Sequence, residues 1–251
     1  MNKPGYQNKN LELVVGITLS IILITICVSP HIIIKSDAAT LYVGEHSDYS
    51  TIQAAINDAT NHDTIFIYDG IYTENIVVNK PVTLIGESNT NTIIAGTGTG
   101  DSIHITSDDV GVHSLCIQGS GKQTENAGIN IDRAQRCFMR NICFQGNYYA
   151  IYSRYGNNMT IKQCEIVENH YGLFLYDITA ASITQNSIQQ NYRDGIYMQL
   201  CTDSAITANN VTNNIVNGIY IRASSLNQIR GNIVSSSDNG LYMLVSNENE
   251  V

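Results

Sequence analysis

Gly195-Ile-Tyr-Met198 and Gly218-Ile-Tyr-Ile221 are two copies of one phrase. Gly128-Ile-Asn-Ile131, Ala150-Ile-Tyr-Ser153, Gly172-Leu-Phe-Leu175 and Gly240-Leu-Tyr-Met243 complete the series. Their first residues are separated by 22, 22, 23, 23 and 22 positions, a beat too regular for chance and too short for helix-pair or propeller-blade repeats. A second phrase keeps the same beat: Met139…Ile142…Phe144, Ile161…Cys164…Ile166, Ile183…Asn186…Ile188, Ile206…Asn209…Val211 and Ile229…Asn232…Val234. Asn147, Asn169, Asn191, Asn214 and then Ser237 fall three or four residues before the start of the first phrase.

Each apolar run alternates, as Ile196 and Met198 do around Tyr197, which is the period of a strand with one buried face. At roughly 3.3 Å per strand residue, one repeat holds about three short strands with their turns and so closes a single coil. Coils stacked about 4.8 Å apart place each residue on its equivalent one repeat away. A single coil cannot bury its own aliphatics, so several must stack into a continuous interior. The expected fold is all-β: a single-stranded parallel β-helix of 22–23 residues per coil.

Asn186, Asn209 and Asn232 form one series at a turn, and Asn169, Asn191 and Asn214 form another. Asparagine tolerates left-handed backbone, and stacked amides also bond along the axis, so both series read as structural ladders and not as ligand sites. The repeated glycines read as turns needing room, not as phosphate loops.

The 251 residues suit one solenoid domain behind an N-terminal segment. Net charge is -9 with 14% charged residues and no basic run, which argues against nucleic acid and against a polybasic membrane patch. Leu13 to Val28 is uncharged and apolar, preceded by Lys3 and Lys9 and followed by Ile32-Ile33-Ile34. Two readings stand for residues 1–38. Cleavage near Ser36-Asp37-Ala38-Ala39 makes the segment a signal peptide, whereas about 22 apolar residues retained make it a membrane anchor helix. Either way Lys3 and Lys9 hold the N-terminus inside, and the repeats lie outside the cytoplasm.

Residues 39–251 make the solenoid, with 41–62 as its N-terminal cap and 63–251 as coils. Tyr49-Ser-Thr-Ile-Gln-Ala-Ala-Ile56 begins with Ser/Thr caps and sets Ile52, Ala55, Ile56 and Ala59 on one helical face, a plug for the open end. Thr64-Ile-Phe-Ile-Tyr68, Asn75-Ile-Val-Val78 and Val82-Thr-Leu-Ile85 read as strands. The stretches Tyr49–Ile56, Ile65-Phe-Ile-Tyr-Asp-Gly-Ile-Tyr-Thr-Glu74 and Pro81-Val-Thr-Leu-Ile-Gly86 resemble the N-terminal part of pectin-lyase-like right-handed parallel β-helix proteins. Ile183-Thr-Gln-Asn-Ser-Ile188 and Asn191-Tyr-Arg-Asp-Gly-Ile-Tyr-Met198 resemble the repeats of the NosD-like branch. That branch includes copper-binding accessory proteins of nitrous oxide reductase and surface proteins with carbohydrate-binding or sugar-hydrolase repeats. The resemblance is specific for fold and leaves function open among enzymes, binders and structural proteins.

Hydrolysis of a glycan wants carboxylates converging on one bond. The row four past the phrase start, Asp132, Arg154, Tyr176, Gln199, Arg222 and Leu244, holds one, and Asp132 with Arg154 reads as a surface ion pair worth at most about 1 kcal/mol. A copper role needs His or Met exposed together. His46, His62, His104, His113 and His170 are dispersed, and Met139, Met159, Met198 and Met243 mostly fall on core positions. No cofactor is implied.

The row two past the phrase start has the most character: Asn130, Tyr152, Phe174, Tyr197, Tyr220 and Tyr242, with His104 extending it by one coil. With the flanking aliphatics inward, these rings face out, beside Arg154, Tyr176, Gln199 and Arg222. An aromatic lane with polar flanks suits sugars or a protein partner; the competing reading is that Tyr stacks well on a parallel sheet. Six cysteines occur, Cys27 among them in the export segment; Cys116 and Cys143 align on successive coils, within reach of a disulfide. Cys164 takes a ladder position as a small buried filler. Asn158-Met-Thr160 and Asn210-Val-Thr212 are glycosylation sequons. Val245–Val251 supplies no evident cap, so end-to-end stacking at the last coil is a further expectation. Together these point to an exported, noncatalytic cell-surface module binding glycan or a surface protein, with a polysaccharide lyase or hydrolase and a copper accessory protein as alternatives.

Overall fold

The computed structural model describes residues 38–251; the signal or anchor expected before them lies outside the described residues. No helix of the described residues is long and apolar enough to cross a membrane. The chain winds through three parallel sheets. Sheet I has nine strands, from Thr40–Val43 to Gln228–Arg230; sheet II has eight, from Gly70–Thr73 to Ile233–Ser235; sheet III has eight, from Ile76–Val78 to Asn239–Leu244. Each coil visits the three sheets in turn, so neighbours within a sheet come from successive coils. The sequence beat is the register: Ile151 pairs Leu173, then Ile196, Ile219 and Leu241 along sheet III.

The interior is one apolar column. Ile161, Ile183 and Ile206 of sheet I, Ile166, Ile188 and Val211 of sheet II, and Leu173, Ile196 and Ile219 of sheet III are all fully buried. Three-residue strands suffice because those inside each sheet pair with equivalent strands on the coils above and below. Helix α1 (Ile52–Asp58) covers the N-terminal end, burying Ile52, Ala55 and Ile56. The Thr51 hydroxyl caps it, accepting from the Ala54 amide at 3.3 Å. Glu74 accepts from the Ile52 and Gln53 amides at 2.8 and 3.1 Å, satisfying two helix-start donors. Within the segment read as cap, Thr40–Val43 already pairs with Thr64–Ile67 as the first strand of sheet I.

Both asparagine ladders are present. The Asn209 Oδ1 accepts from the Asn186 backbone amide (3.0 Å) and from Asn186 Nδ2 (2.9 Å), while Asn209 Nδ2 donates to the Ile183 carbonyl (2.8 Å). Asn147, Asn169, Asn191 and Asn214 repeat the pattern at the corner between sheets II and III. Cys164 begins the first ladder, its backbone amide donating to Asn186 Oδ1 at 2.9 Å, and its buried thiol is pushed up to about 12 by desolvation.

One expectation about these turns needs correcting. The ladder asparagines are not the left-handed residues; the residues before them are, Gln185 (φ 57), Ala208 (φ 55) and Gly231 (φ 63) at one corner and Glu168 (φ 56), Gln190 (φ 55) and Asn213 (φ 57) at the other. Strand spacing dictates this division. The turn bends at the preceding residue, and the amide is thereby freed to reach along the axis instead of bonding its own turn. The phrase glycines do need room: a Cβ on Gly172 would lie 2.2 Å from the Gly195 carbonyl oxygen. At the third corner a mixed ladder runs Ala181 amide to Ser204 Oγ (3.0 Å), Ser204 amide to Asn227 Oδ1 (3.0 Å), and Asn227 amide to Asn249 Oδ1 (3.1 Å).

Removing one ladder amide strands several buried groups at once. Asn209→Leu leaves the Asn186 donors and the Ile183 carbonyl unpaired, an expected loss of about 3 kcal/mol in denaturant unfolding. Its exposed neighbour serves as control, since Asn210→Ala is expected to stay within about 0.5 kcal/mol.

Candidate functional site

The outer face of sheet III carries the expected rows in the expected register. Tyr152 pairs Phe174, Phe174 pairs Tyr197, Tyr197 pairs Tyr220 and Tyr220 pairs Tyr242; Arg154, Tyr176, Gln199, Arg222 and Leu244 run in register beside them. His104 extends the ring row past Asn130. Stacking then spends much of the ring surface. Phe174 and Tyr197 lie parallel, centroids 4.5 Å apart at 9°, and Tyr197 meets Tyr220 edge-on at 4.8 Å. Tyr152 and Tyr197 are consequently each only 8% exposed, whereas Tyr242 is 41% exposed. What the lane offers a ligand is ring edges and hydroxyls, with a broad open ring at Tyr242. The polar flank is tied to it, since the Tyr197 hydroxyl donates to Gln199 Oε1 at 2.9 Å.

A second aromatic row, absent from the sequence reading, widens this face. Tyr149 and Tyr171 are register partners stacked at 5.0 Å and 24°, and they pack on Tyr152 and Phe174. At the corner toward sheet II, Tyr148 and His170 lie 4.6 Å apart. They line a groove of about 560 Å³ with Lys122, Glu168 and Tyr192. Tyr192 is 56% exposed. Burial, reinforced by Arg193, holds the His170 imidazole below its usual range. The signal was available: each of these residues stands one or two places after a ladder asparagine, in Asn147-Tyr148-Tyr149, Asn169-His170-Tyr171 and Asn191-Tyr192.

The N-terminal end of the lane is ionic. Asp101 accepts from the Ala127 amide (2.8 Å) and Asn130 Nδ2 (2.9 Å) and lies 2.9 Å from His104 Nδ1. Asp132 accepts from Arg154 Nε at 3.0 Å, and Glu125 lies 3.7 Å from the same guanidinium. The expected Asp132 and Arg154 ion pair is thus formed, inside a larger set that includes Asp101 and Glu125, which spacing alone did not connect because both lie on turns between strands. Asp101 and Asp132 are each engaged by donors of the fold itself, Asp101 by Ala127 and Asn130 and Asp132 by Arg133 and Arg154.

Cys116 and Cys143 are register partners on sheet II, as their alignment predicts, and both are free thiols. Among the described residues no three of His, Cys, Asp or Glu converge to hold a metal ion.

Residues 32–251 match the family model described as Periplasmic copper-binding protein (NosD). Among solved structures, the Dettilon tailspike protein aligns with a TM-score of 0.65 at 18% identity, over 81% of this chain and 46% of its own. The Agl-KA catalytic domain aligns with a TM-score of 0.55 at 14% identity, over 74% of this chain and 41% of its own. A pectin methylesterase variant in complex with a hexasaccharide aligns with a TM-score of 0.51 at 16% identity, over 81% and 80%. At these identities the likeness shows the β-helix fold. No curated protein sequence matches the chain.

The His104 and Asp101 pair has a pH signature. The hydrogen bond to Asp101 outweighs burial and raises the imidazole pKa above its free value of 6.5. The pair therefore stabilises the fold fully below that pH, and the contribution is lost as pH rises through the folded-state value. In an NMR titration the His104 midpoint is expected above 6.5 and lower in Asp101→Asn. An unchanged midpoint in the variant would contradict the assignment.

Proposed function

The chain belongs to the NosD family, and from that premise we propose that it is an extracytoplasmic β-helix that binds a glycan along the outer face of sheet III without cleaving it. The observation that carries this reading is the aromatic row continuous from Tyr152 to Tyr242, widened at its start by Tyr149 and Tyr171, with Gln199 and Arg222 along its flank and the Tyr148, His170 and Tyr192 groove at its edge. Sugars present apolar C–H faces and a ring of hydroxyls, which match ring edges and open rings on one side and hydrogen-bonding side chains on the other. Stacked tyrosines are also preorganised, so little side-chain entropy is lost on binding. The hexasaccharide held by the structurally similar pectin methylesterase is in keeping with a polysaccharide ligand. The N-terminal segment either anchors the module or is removed on export, and a surface protein is the other partner this face suits.

One observation favours a second reading, a polysaccharide-modifying enzyme: Asp101, His104, Asp132, Arg154 and Glu125 gather at the end of the lane. The binding reading ranks first because the two lane carboxylates are already committed to the fold's own donors. The copper in the family's description meets no three-ligand set among the described residues; the donors there that match copper chemically are the paired thiols of Cys116 and Cys143.

A glycan array probed with the full chain tests the proposal. Wild-type protein is expected to retain a polysaccharide that Tyr220→Ala, Tyr242→Ala loses by at least about tenfold, a loss of about 1.4 kcal/mol, with the bound glycan recovered intact by mass spectrometry. Equal retention by both proteins defeats the aromatic face as the site, and recovery of shortened chains defeats the noncatalytic assignment.

A further inference from the structure

Five cysteines are described, and two of them differ from the rest. Cys137, Cys164 and Cys201 are buried, their thiols donate to backbone carbonyls of Ser107, Lys162 and Leu175, and burial pushes them up to about 11, 12 and 12. Such thiols are inert. Cys116 and Cys143 instead sit on the outer side of sheet II, since their chain neighbours Ile117 and Phe144 fill the interior. Cys116 is 7% exposed and Cys143 is half-buried, so the pair is shielded but reachable from one side. Their row continues with Ile93 on one coil and Glu165 on the next. The two are register partners on adjacent strands, and both are free thiols.

Rung spacing sets what such a pair can bond. In-register neighbours on parallel strands stand about 4.8 Å apart. A disulfide wants an S–S bond of about 2.05 Å with Cα atoms about 4.4–6.8 Å apart, so the pair is within its reach, yet both thiols are free. Two thiolate–metal bonds of about 2.3 Å, the length known for zinc, span roughly 4.6 Å and match the rungs as they stand. Two donors do not complete a tetrahedral site for zinc, and no further His, Cys, Asp or Glu converges on them among the described residues. Soft thiolate pairs select Cu(I).

We propose that Cys116 and Cys143 form a two-thiolate site for Cu(I) on the outer face of sheet II. Binding is not a redox step: one Cu(I) enters, two S–H protons leave to solvent, and the metal stays univalent. The site is on a different sheet from the aromatic face and stands independently of the glycan reading.

The test uses the full chain carrying Cys27→Ser, reduced and kept anaerobic, titrated with Cu(I) against the chelator bathocuproine disulfonate. Roughly one Cu(I) per chain is expected to be retained, with a near-ultraviolet thiolate-to-copper absorption and protection of two thiols from iodoacetamide. Cys143→Ser, a small change at a half-exposed position, is expected to weaken retention by more than about 100-fold, while Cys201→Ser leaves it unchanged. No retention by wild type, or equal retention by Cys143→Ser, overturns the site. So does a Cys116–Cys143 disulfide peptide recovered from protein isolated without reductant.

Discussion

The structure depends on one repeated contact, the side-chain amide of an asparagine bonded to the same asparagine one coil away. An isolated buried amide would cost stability, because its donors and acceptor lose water. Here Oδ1 of each asparagine takes two donors from the coil before, the backbone amide and Nδ2, and Nδ2 also reaches that coil's strand carbonyl. The amide is satisfied only if its equivalent stands one rung away, so the contact selects for coils of nearly fixed length. It also joins adjacent sheets at their corners, where three-residue strands alone would leave the coil free to splay.

The one-residue variation in coil length is absorbed where this contact permits it. Between Asn169 and Gly172 there are two residues, but between Asn191 and Gly195 there are three, and both asparagines keep their ladder bonds. The added residue lands in the corner beside the groove. Asp194 then stands after Tyr171 in the outer row, accepting from Asn217 Nδ2 at 2.6 Å, and the Tyr149 and Tyr171 row ends there. A change that the ladder tolerates therefore resets the chemistry of the outer face, converting an aromatic row into a buried carboxylate whose pKa burial raises.

Much of this was legible because a parallel coil translates sequence spacing directly into spatial neighbours. The rows from Tyr152 to Tyr242 and from Asp132 to Leu244, both asparagine series and the Cys116 and Cys143 pairing follow from counting. What counting missed lies at corners. Asp101 and Glu125 sit on turns whose path the strand period does not describe, and Glu74 meets helix α1 across 22 residues without any repeat to announce it. The left-handed residue was misplaced by one because asparagine's local preference was weighed without the axial bond that outcompetes it.

The same spacing governs what the outer rows can do. Rings one rung apart stack and bury one another, as Phe174 and Tyr197 do, so a longer aromatic row gains stability faster than it gains ligand surface. Carboxylates one rung apart would repel, and sheet III answers with Asp132 against Arg154. Thiols one rung apart neither stack nor repel while protonated; they stand near the span that a soft cation bridges. A solenoid thus stores stability in rows of like residues. It can hold chemistry where a row changes character, at the ionic end of the aromatic lane, at the inserted Asp194 corner and at the two-cysteine break in sheet II, and those are the positions where substitutions should separate binding from folding.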